Sequence, residues 1–114
     1  MMHLILVVDI HGEVNQSGLE RLRTTLNLKK QGRLTDDWDQ EFGYRMIESA
    51  DGRRIKVSLF REFDGSWVVD ASASAPDVST DDLALLRAEL VEGVTAAQYQ
   101  ATVRAKPTYG TAKE

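Results

Sequence analysis

The chain contains no cysteine among its 114 residues. Disulfide bonds, thiolate catalysis and zinc sites built from cysteine ligands are therefore excluded. Histidine is nearly as scarce, since only His3 and His11 are present. A metal centre that needs several nitrogen ligands has too few of them here. Because a lack of cysteine is typical of a reducing compartment, we expect a cytoplasmic protein.

Long apolar runs are also missing. The apolar stretch at positions 4–8 is too short for a membrane span, and the basic lead and cleavage site of a signal peptide are not found around it. We expect no membrane partner. The formal net charge of -4 and the pI of about 5.2 argue against direct binding of nucleic acid, whose phosphates are contacted largely by clustered lysine and arginine.

Catalytic and cofactor motifs are missing as well. The sequence has no Gly-x-Ser-x-Gly elbow, no glycine-rich phosphate loop and no dinucleotide fingerprint. Two carboxylate pairs occur, Asp36-Asp37 and Asp81-Asp82. Neighbouring residues point apart on a helix, and both pairs suit the first turn of one. We therefore predict a protein that is not an enzyme and uses no cofactor.

Residues 42–75 read as a meander of three antiparallel strands. Asp51-Gly52 is the signature of a two-residue type I′ turn, since glycine adopts positive φ without strain. This turn predicts the following pairs: Ala50 with Arg53, Glu48 with Ile55, Met46 with Val57 and Tyr44 with Leu59.

The second turn of the meander has two candidate registers. A two-residue loop at Asp64-Gly65 conflicts with the apolar alternation of the third strand. A three-residue loop at 63–65, with Gly65 left-handed beside a bulge, agrees with it and is the one we predict. It gives these pairs: Arg61 with Trp67, Leu59 with Val69, Val57 with Ala71 and Ile55 with Ala73.

These registers divide the meander into two faces. We predict a core face of nine residues, covered by a helix: Tyr44, Met46, Ile55, Val57, Leu59, Trp67, Val69, Ala71 and Ala73. The opposite face should be mostly wet. It carries a predicted polar row of Arg45, Ser58 and Asp70, with Lys56 diagonal to Asp70.

The remaining segments complete the order β-α-β-β-β-α-β. Residues 3–11 form an apolar strand, and residues 99–105 alternate as a half-buried one. A capping box at Ser17 and Glu20 predicts a helix ending near Leu28, with Arg23 in water. Ser79 predicts the start of the second helix, and Gly93 its end.

We therefore predict an α+β domain over residues 1–106. Its sheet is mostly antiparallel and five-stranded, with the meander at its centre and two helices packed on one face. Residues 107–114 are expected to form a flexible C-terminal tail.

The segment Asp9-Ile10-His11-Gly12 ends the first strand. It resembles the opening Asp-x-His motif of calcineurin-like metallophosphoesterases, in which a strand delivers both side chains to a two-metal site. The resemblance covers about the first quarter of the chain. The Gly-Asp-x-x-Asp and Gly-Asn-His segments that complete the family's metal cage are missing, so what remains is a mononuclear site at Asp9, His11 and Glu13.

Residues 29–41 form the longest polar stretch. Its acidic half has two interpretations: a capped turn whose Trp38 plugs the edge of the core, or an aromatic anchor within carboxylates that captures a basic partner. The predicted partner-binding residues are Asp36, Asp37, Trp38, Asp39 and Glu41. The leading hypothesis is a small acidic binding protein, of the type of immunity proteins or phage inhibitors, that blocks a basic nucleic-acid-handling protein.

Two alternatives stay open. The first is a homo-oligomeric module that pairs through an exposed strand edge, or through an apolar patch of Ile47, Phe60 and Val68. The second is a ligand site, either a small-molecule pocket between helices and sheet or a weak metal-dependent phosphoesterase-like centre at Asp9 and His11.

Overall fold

The computed structural model describes residues 2–36 and 40–108. They form an α+β fold with a six-stranded antiparallel sheet and two helices. In chain order the elements are β1 (His3–His11), α1 (Gln16–Thr25), β2 (Lys29–Lys30), β3 (Glu41–Glu48), β4 (Arg54–Arg61), β5 (Trp67–Ala73), α2 (Thr80–Ala96) and β6 (Gln100–Val103).

The strands lie in the order β2-β3-β4-β5-β1-β6. Strand β1 is interior, between β5 and β6, which explains why it is apolar on both faces. The sixth strand, β2, was not predicted. Its two residues are both lysine, so it shows no apolar alternation that sequence reasoning can detect.

Both helices cover one face of the sheet, which we call the helical face. Leu22 of α1 and Leu90 of α2 are fully buried there against strand residues such as Val57. On the same face, the rings of Phe42 in β3 and Trp67 in β5 lie with their centroids 4.9 Å apart. The opposite side of the sheet, which carries Val7, Asp9, Ser58, Val68, Asp70 and Arg104, is here called the second face.

The turn between β4 and β5 confirms the three-residue loop. The N–H of Gly65 donates to Glu62 O at 2.9 Å, and the N–H of Glu62 donates to Ser66 O at 2.8 Å. Gly65 has φ +89°, the left-handed value that the loop requires. Arg61 therefore pairs with Trp67, and the rest of the predicted register follows.

The turn between β3 and β4 was predicted wrongly. It is also a three-residue loop, over residues 50–52, with Gly52 left-handed at φ +89°. The N–H of Ser49 donates to Arg53 O at 2.8 Å, and the Ser49 hydroxyl accepts the Arg53 N–H at 3.0 Å. The side chain of Ser49 thus adds a bond that a two-residue loop lacks, and the register shifts by one residue.

This shift exchanges the two faces of β3. Tyr44 and Met46 lie on the second face and not in the core, and Met46 is 52% exposed. Arg45 and Ile47 lie on the helical face, where Arg45 Nη2 contacts Glu89 Oε2 of α2 at 2.5 Å. The predicted polar row keeps Ser58 opposite Asp70, but Tyr44 takes the place of Arg45.

The second face is not wet at its centre, contrary to prediction. Val7 and Val68 are fully buried, and Asp70 is 2% exposed. One cause is Arg104, which follows β6 and reaches Glu62 at the end of β4. The Arg104–Glu62 ion pair therefore spans β1 and β5, and the two side chains together cover part of the second face of these strands.

The helix ends also differ from prediction in part. Asn15 caps α1 in place of Ser17, its side chain accepting the Gly18 N–H at 2.8 Å. Ser79 caps α2 as predicted. Gly93 does not end α2, which continues to Ala96. A Cβ on Gly93 would lie 2.4 Å from Leu26 Cδ2, so glycine allows the end of α1 to approach α2 closely here.

Candidate functional site

The predicted partner-binding residues belong to the loop that joins β2 to β3. Asp37, Trp38 and Asp39 lie outside the described residues. Asp36 is exposed at the end of a turn, where its N–H donates to Arg33 O at 3.0 Å. Glu41 is the first residue of β3.

Glu41 is directed onto the second face of the sheet. Its carboxylate accepts hydrogen bonds from Lys56 Nζ at 3.1 and 3.3 Å and from the Ser58 hydroxyl at 3.2 Å. Its side chain is 26% exposed. Glu41 therefore forms an ion pair within the sheet, next to the base of the loop.

Arg23 of α1 fixes the beginning and the end of this loop. Its Nε donates to Phe42 O at 2.8 Å, and its Nη2 donates to Gln31 O at 2.8 Å and Gly32 O at 3.3 Å. The residue is only 5% exposed, so the prediction that it faces water was wrong. Helical periodicity assigns a position to a face, but it does not show a loop that folds over that position.

Arg61 of β4 holds the loop at Asp36 and at Gln40. Its Nη2 donates to Asp36 O at 3.0 Å, and its own N–H donates to Gln40 O at 2.7 Å. The guanidinium lies over the rings of Phe42 and Trp67, at 4.8 and 5.8 Å from their centroids. These cation–π contacts fix the side chain in place.

Two arginines from different elements thus hold one loop by its main chain. We call the segment from residue 31 to residue 42 the clamped loop; the residues held are the described ones, 31–36 and 40–42. Each of the hydrogen bonds from Arg23 and Arg61 described above ends on a carbonyl oxygen, and they are distributed from residue 31 to residue 42. Because a guanidinium has donors in a fixed plane, such bonds set the course of the backbone.

The three residues of the mononuclear metal site that the sequence left open, Asp9, His11 and Glu13, do not converge. Asp9 accepts two hydrogen bonds from Arg104, at 2.9 Å from Nε and 2.7 Å from Nη2. His11 Nε2 lies 2.9 Å from Thr102 Oγ1. Glu13 is contacted through its main chain, because its carbonyl oxygen accepts a hydrogen bond from the Tyr99 hydroxyl at 3.0 Å. Within residues 2–36 and 40–108, no three acidic or histidine side chains are grouped to hold a metal ion.

Arg104 joins two carboxylates on the second face. Besides Asp9, its Nη2 binds Glu62 Oε1 at 2.8 Å, and the Glu62 side chain is 5% exposed. The hydrogen bonds to Asp9 and then to Glu62 raise the pKa of the Arg104 guanidinium above its usual value. Sequence reasoning missed this cluster, although strand alternation places all three residues on one face.

Two surface hollows border α1, and neither lies between helices and sheet. One, of about 260 Å³, is adjacent to the clamped loop, and the guanidinium of Arg23 at its wall already donates to protein oxygens. The other is a shallow groove of about 480 Å³ between α1 and the end of α2. Neither of these two hollows is a small-molecule pocket between helices and sheet, the alternative that the sequence left open.

The sequence matches no protein-family model, and comparisons with curated proteins and with solved structures gave no match. Among the described helices, none has the length and apolar character needed to cross a bilayer. The longest, α2, has 17 residues and begins with Asp81 and Asp82 in its first turn.

Proposed function

We propose that this protein is a small, non-enzymatic binding module that acts in the cytoplasm and blocks a basic protein partner. The observation that carries the proposal is the clamped loop. Its sequence places four carboxylates and one tryptophan within positions 36–41, and Arg23 and Arg61 hold its main chain.

Preorganisation of the described parts of this loop, residues 31–36 and 40–42, favours binding. A loop that must be ordered on association loses conformational entropy, which lowers the affinity for the partner. The bonds to Gln31 O, Asp36 O and Phe42 O restrict the backbone before any partner arrives. The interface then needs to order fewer residues.

The charge of the loop indicates the chemistry of the partner. Asp36, Asp37, Asp39 and Glu41 are acidic, and Glu41 is already neutralised by Lys56. Acidic side chains around an aromatic residue suit a basic surface, because the charges steer association and the ring fills a pocket. Proteins that handle nucleic acids present such basic surfaces. A protein that covers such a surface would act as an inhibitor or an immunity protein.

Affinity capture from native lysate at low and at high salt tests the proposal. We expect a basic protein that is retained at low salt and released at high salt, since screening weakens exposed charge pairs. The captured protein is then purified and its affinity for this chain is measured. Its own activity is measured with and without this chain. Inhibition of that activity is the expected result.

Two variants locate the surface. Replacing Asp36, Asp37 and Asp39 by asparagine and Trp38 by alanine should abolish binding. The matched control replaces Asp81 and Asp82 by asparagine and Glu92 by glutamine, which removes the same number of charges from α2. Equal binding by the loop variant and the wild type would refute the site, and equal loss in both variants would show that only net charge matters.

A third variant tests the clamp itself. Arg61→Met leaves the loop acids in place but removes the donor to Asp36 O and the cation–π contacts. We expect weaker binding through a slower association or a larger entropic cost, measured by calorimetry. Unchanged binding would show that the clamp has only a structural role.

A further inference from the structure

At the outer edge of β6, no strand of residues 2–36 or 40–108 pairs with the main chain. Within these described ranges, β6 pairs only with β1. The Arg104 N–H donates to Val7 O at 2.9 Å, which sets the alternation along the strand. Since hydrogen-bonded pairs recur at every second residue, Thr102 also faces β1. Ala101 and Val103 therefore direct their N–H and C=O groups away from the sheet.

Within β6 itself, charged side chains and proline are missing. Its four residues, Gln100–Val103, are uncharged, and so are Gln98 and Tyr99 before it; Arg104, Lys106 and Pro107 come only after the strand has ended. At the other edge of the same sheet, β2 is only two residues long and both are lysine. Short length and lysine are the devices by which natural proteins prevent pairing at an edge.

We propose that β6 pairs with β6 of a second copy of this chain, antiparallel, with Thr102 on the two-fold axis. In that register Ala101 exchanges two hydrogen bonds with Val103 of the partner subunit, and the symmetry repeats them. Four main-chain hydrogen bonds then close the edge and join two six-stranded sheets into one.

The side chains are compatible with this register. Thr102 lies opposite Thr102 of the partner subunit on the second face, as a close pair that is not hydrogen-bonded through the backbone. Gln100 lies opposite Arg104 of the partner subunit, whose charge is held by its own Asp9 and Glu62. Like charges therefore do not meet across the axis. On the helical face, the half-buried Ala101 and Val103 gain cover.

The dimer does not depend on the proposed function, because the clamped loop lies at the opposite edge of the sheet. Pairing through β6 leaves both loops at the outer ends of the joined sheet. A dimer would then present two binding surfaces. The interface is one short strand from each subunit, so we expect a concentration-dependent dimer of modest affinity.

Sedimentation equilibrium from micromolar to millimolar concentration tests the pairing. Thr102→Lys and Thr102→Glu should each make the protein monomeric, since like charges face each other across the axis. An equimolar mixture of the two variants should dimerise again. Thr102→Ala is the matched control: it loses only the hydroxyl contact with His11 and should still dimerise.

Single cysteines test the register, since the chain has none of its own. In a non-hydrogen-bonded antiparallel pair the Cα atoms are about 4.5 Å apart, within the range of a disulfide. Thr102→Cys should form a covalent dimer on mild oxidation, and Gln100→Cys should not, because its partner in the dimer is Arg104.

Three results would overturn the proposal. They are a wild-type protein that stays monomeric at millimolar concentration, a dimer that persists in both charged variants, and efficient cross-linking of Gln100→Cys in place of Thr102→Cys. Should the protein stay monomeric while β6 is protected from hydrogen exchange by another protein, the edge would bind a foreign strand and not a second copy.

Discussion

Each half of the sheet is held near its edge by an arginine that is largely out of the solvent, and the two arginines differ in their main acceptors. Arg23, near the β2 edge, is 5% exposed and donates mainly to main-chain carbonyls such as Gln31 O and Phe42 O. Arg104, near the β6 edge, has a side chain that is 14% exposed and lies between the carboxylates of Asp9 and Glu62.

The two sites differ in the acceptor that is left behind when the arginine is replaced. A carbonyl left without its donor has no charge, and water can replace the donor if the loop opens. A buried carboxylate left without its cation keeps a charge in a medium that solvates it poorly. The β6 edge should therefore depend more on its arginine than the β2 edge does.

The largest effect is expected at Arg104. Arg104→Met should lower the free energy of unfolding by about 3 kcal/mol, because the nearly buried Glu62 and Asp9 both lose the cation that Arg104 supplies. Urea denaturation measures the change. Adding Glu62→Gln to this variant should restore part of the loss, and a double variant as unstable as the single one would contradict the charge argument.

Arg23→Met should have a smaller effect, about 2 kcal/mol, because its main-chain acceptors lose donors but carry no charge. Hydrogen exchange of residues 31–36 should become faster, since the clamped loop loses one of its two anchors. The exposed Arg87→Met serves as control and should stay within about 0.5 kcal/mol of the wild type. A larger loss for Arg23→Met than for Arg104→Met would reverse the comparison.

The dependence of stability on pH tests whether the charge of Arg104 matters at the β6 edge. The pKa of Arg104 is raised, so its contribution to stability is present below its ordinary pKa and is lost only as the pH rises through the higher folded value. A lysine at this position has an unfolded pKa of about 10.4. The stability gap between wild type and Arg104→Lys should therefore widen above about pH 10.

Denaturation of both proteins at neutral and at alkaline pH measures that gap. We expect Arg104→Lys to be less stable than the wild type by about 1 kcal/mol at neutral pH, because it loses the bidentate contact with Asp9. The difference should be larger at alkaline pH. Arg87→Lys is the control, and its curve should follow the wild type. A gap that stays constant with pH would show that geometry alone matters at this edge.

The smallest change in stability is expected when the β2 edge is made similar to the β6 edge. Lys29→Thr with Lys30→Thr removes two exposed charges and should change the unfolding free energy by less than about 0.5 kcal/mol. Self-association should increase, because the lysines no longer deter pairing. The test is sedimentation in a Thr102→Lys background, which blocks the β6 edge. A monomer there would mean that the short length of β2 suffices.

The two hairpins show how far turn residues predict register. At Gly65 the apolar alternation of β5 distinguished the three-residue loop from the shorter one, and the prediction was correct. At Gly52 both the dipeptide Asp51-Gly52 and the apolar residues of the two strands favour a two-residue loop, and the hydroxyl of Ser49 instead supports the longer one. An error of one residue there moved Tyr44 and Arg45 to the wrong faces.

Local patterns in the sequence determined the α+β class, the extent of β1, the cap of α2 at Ser79 and the loop at Gly65, because each depends on neighbouring residues alone. The tertiary structure alone decided the strand order, the two-residue β2 and the partners of Arg23 and Arg104. Arg104 and Asp9 are 95 residues apart in the chain. Contacts of that kind depend on how whole elements pack, and no local period encodes them.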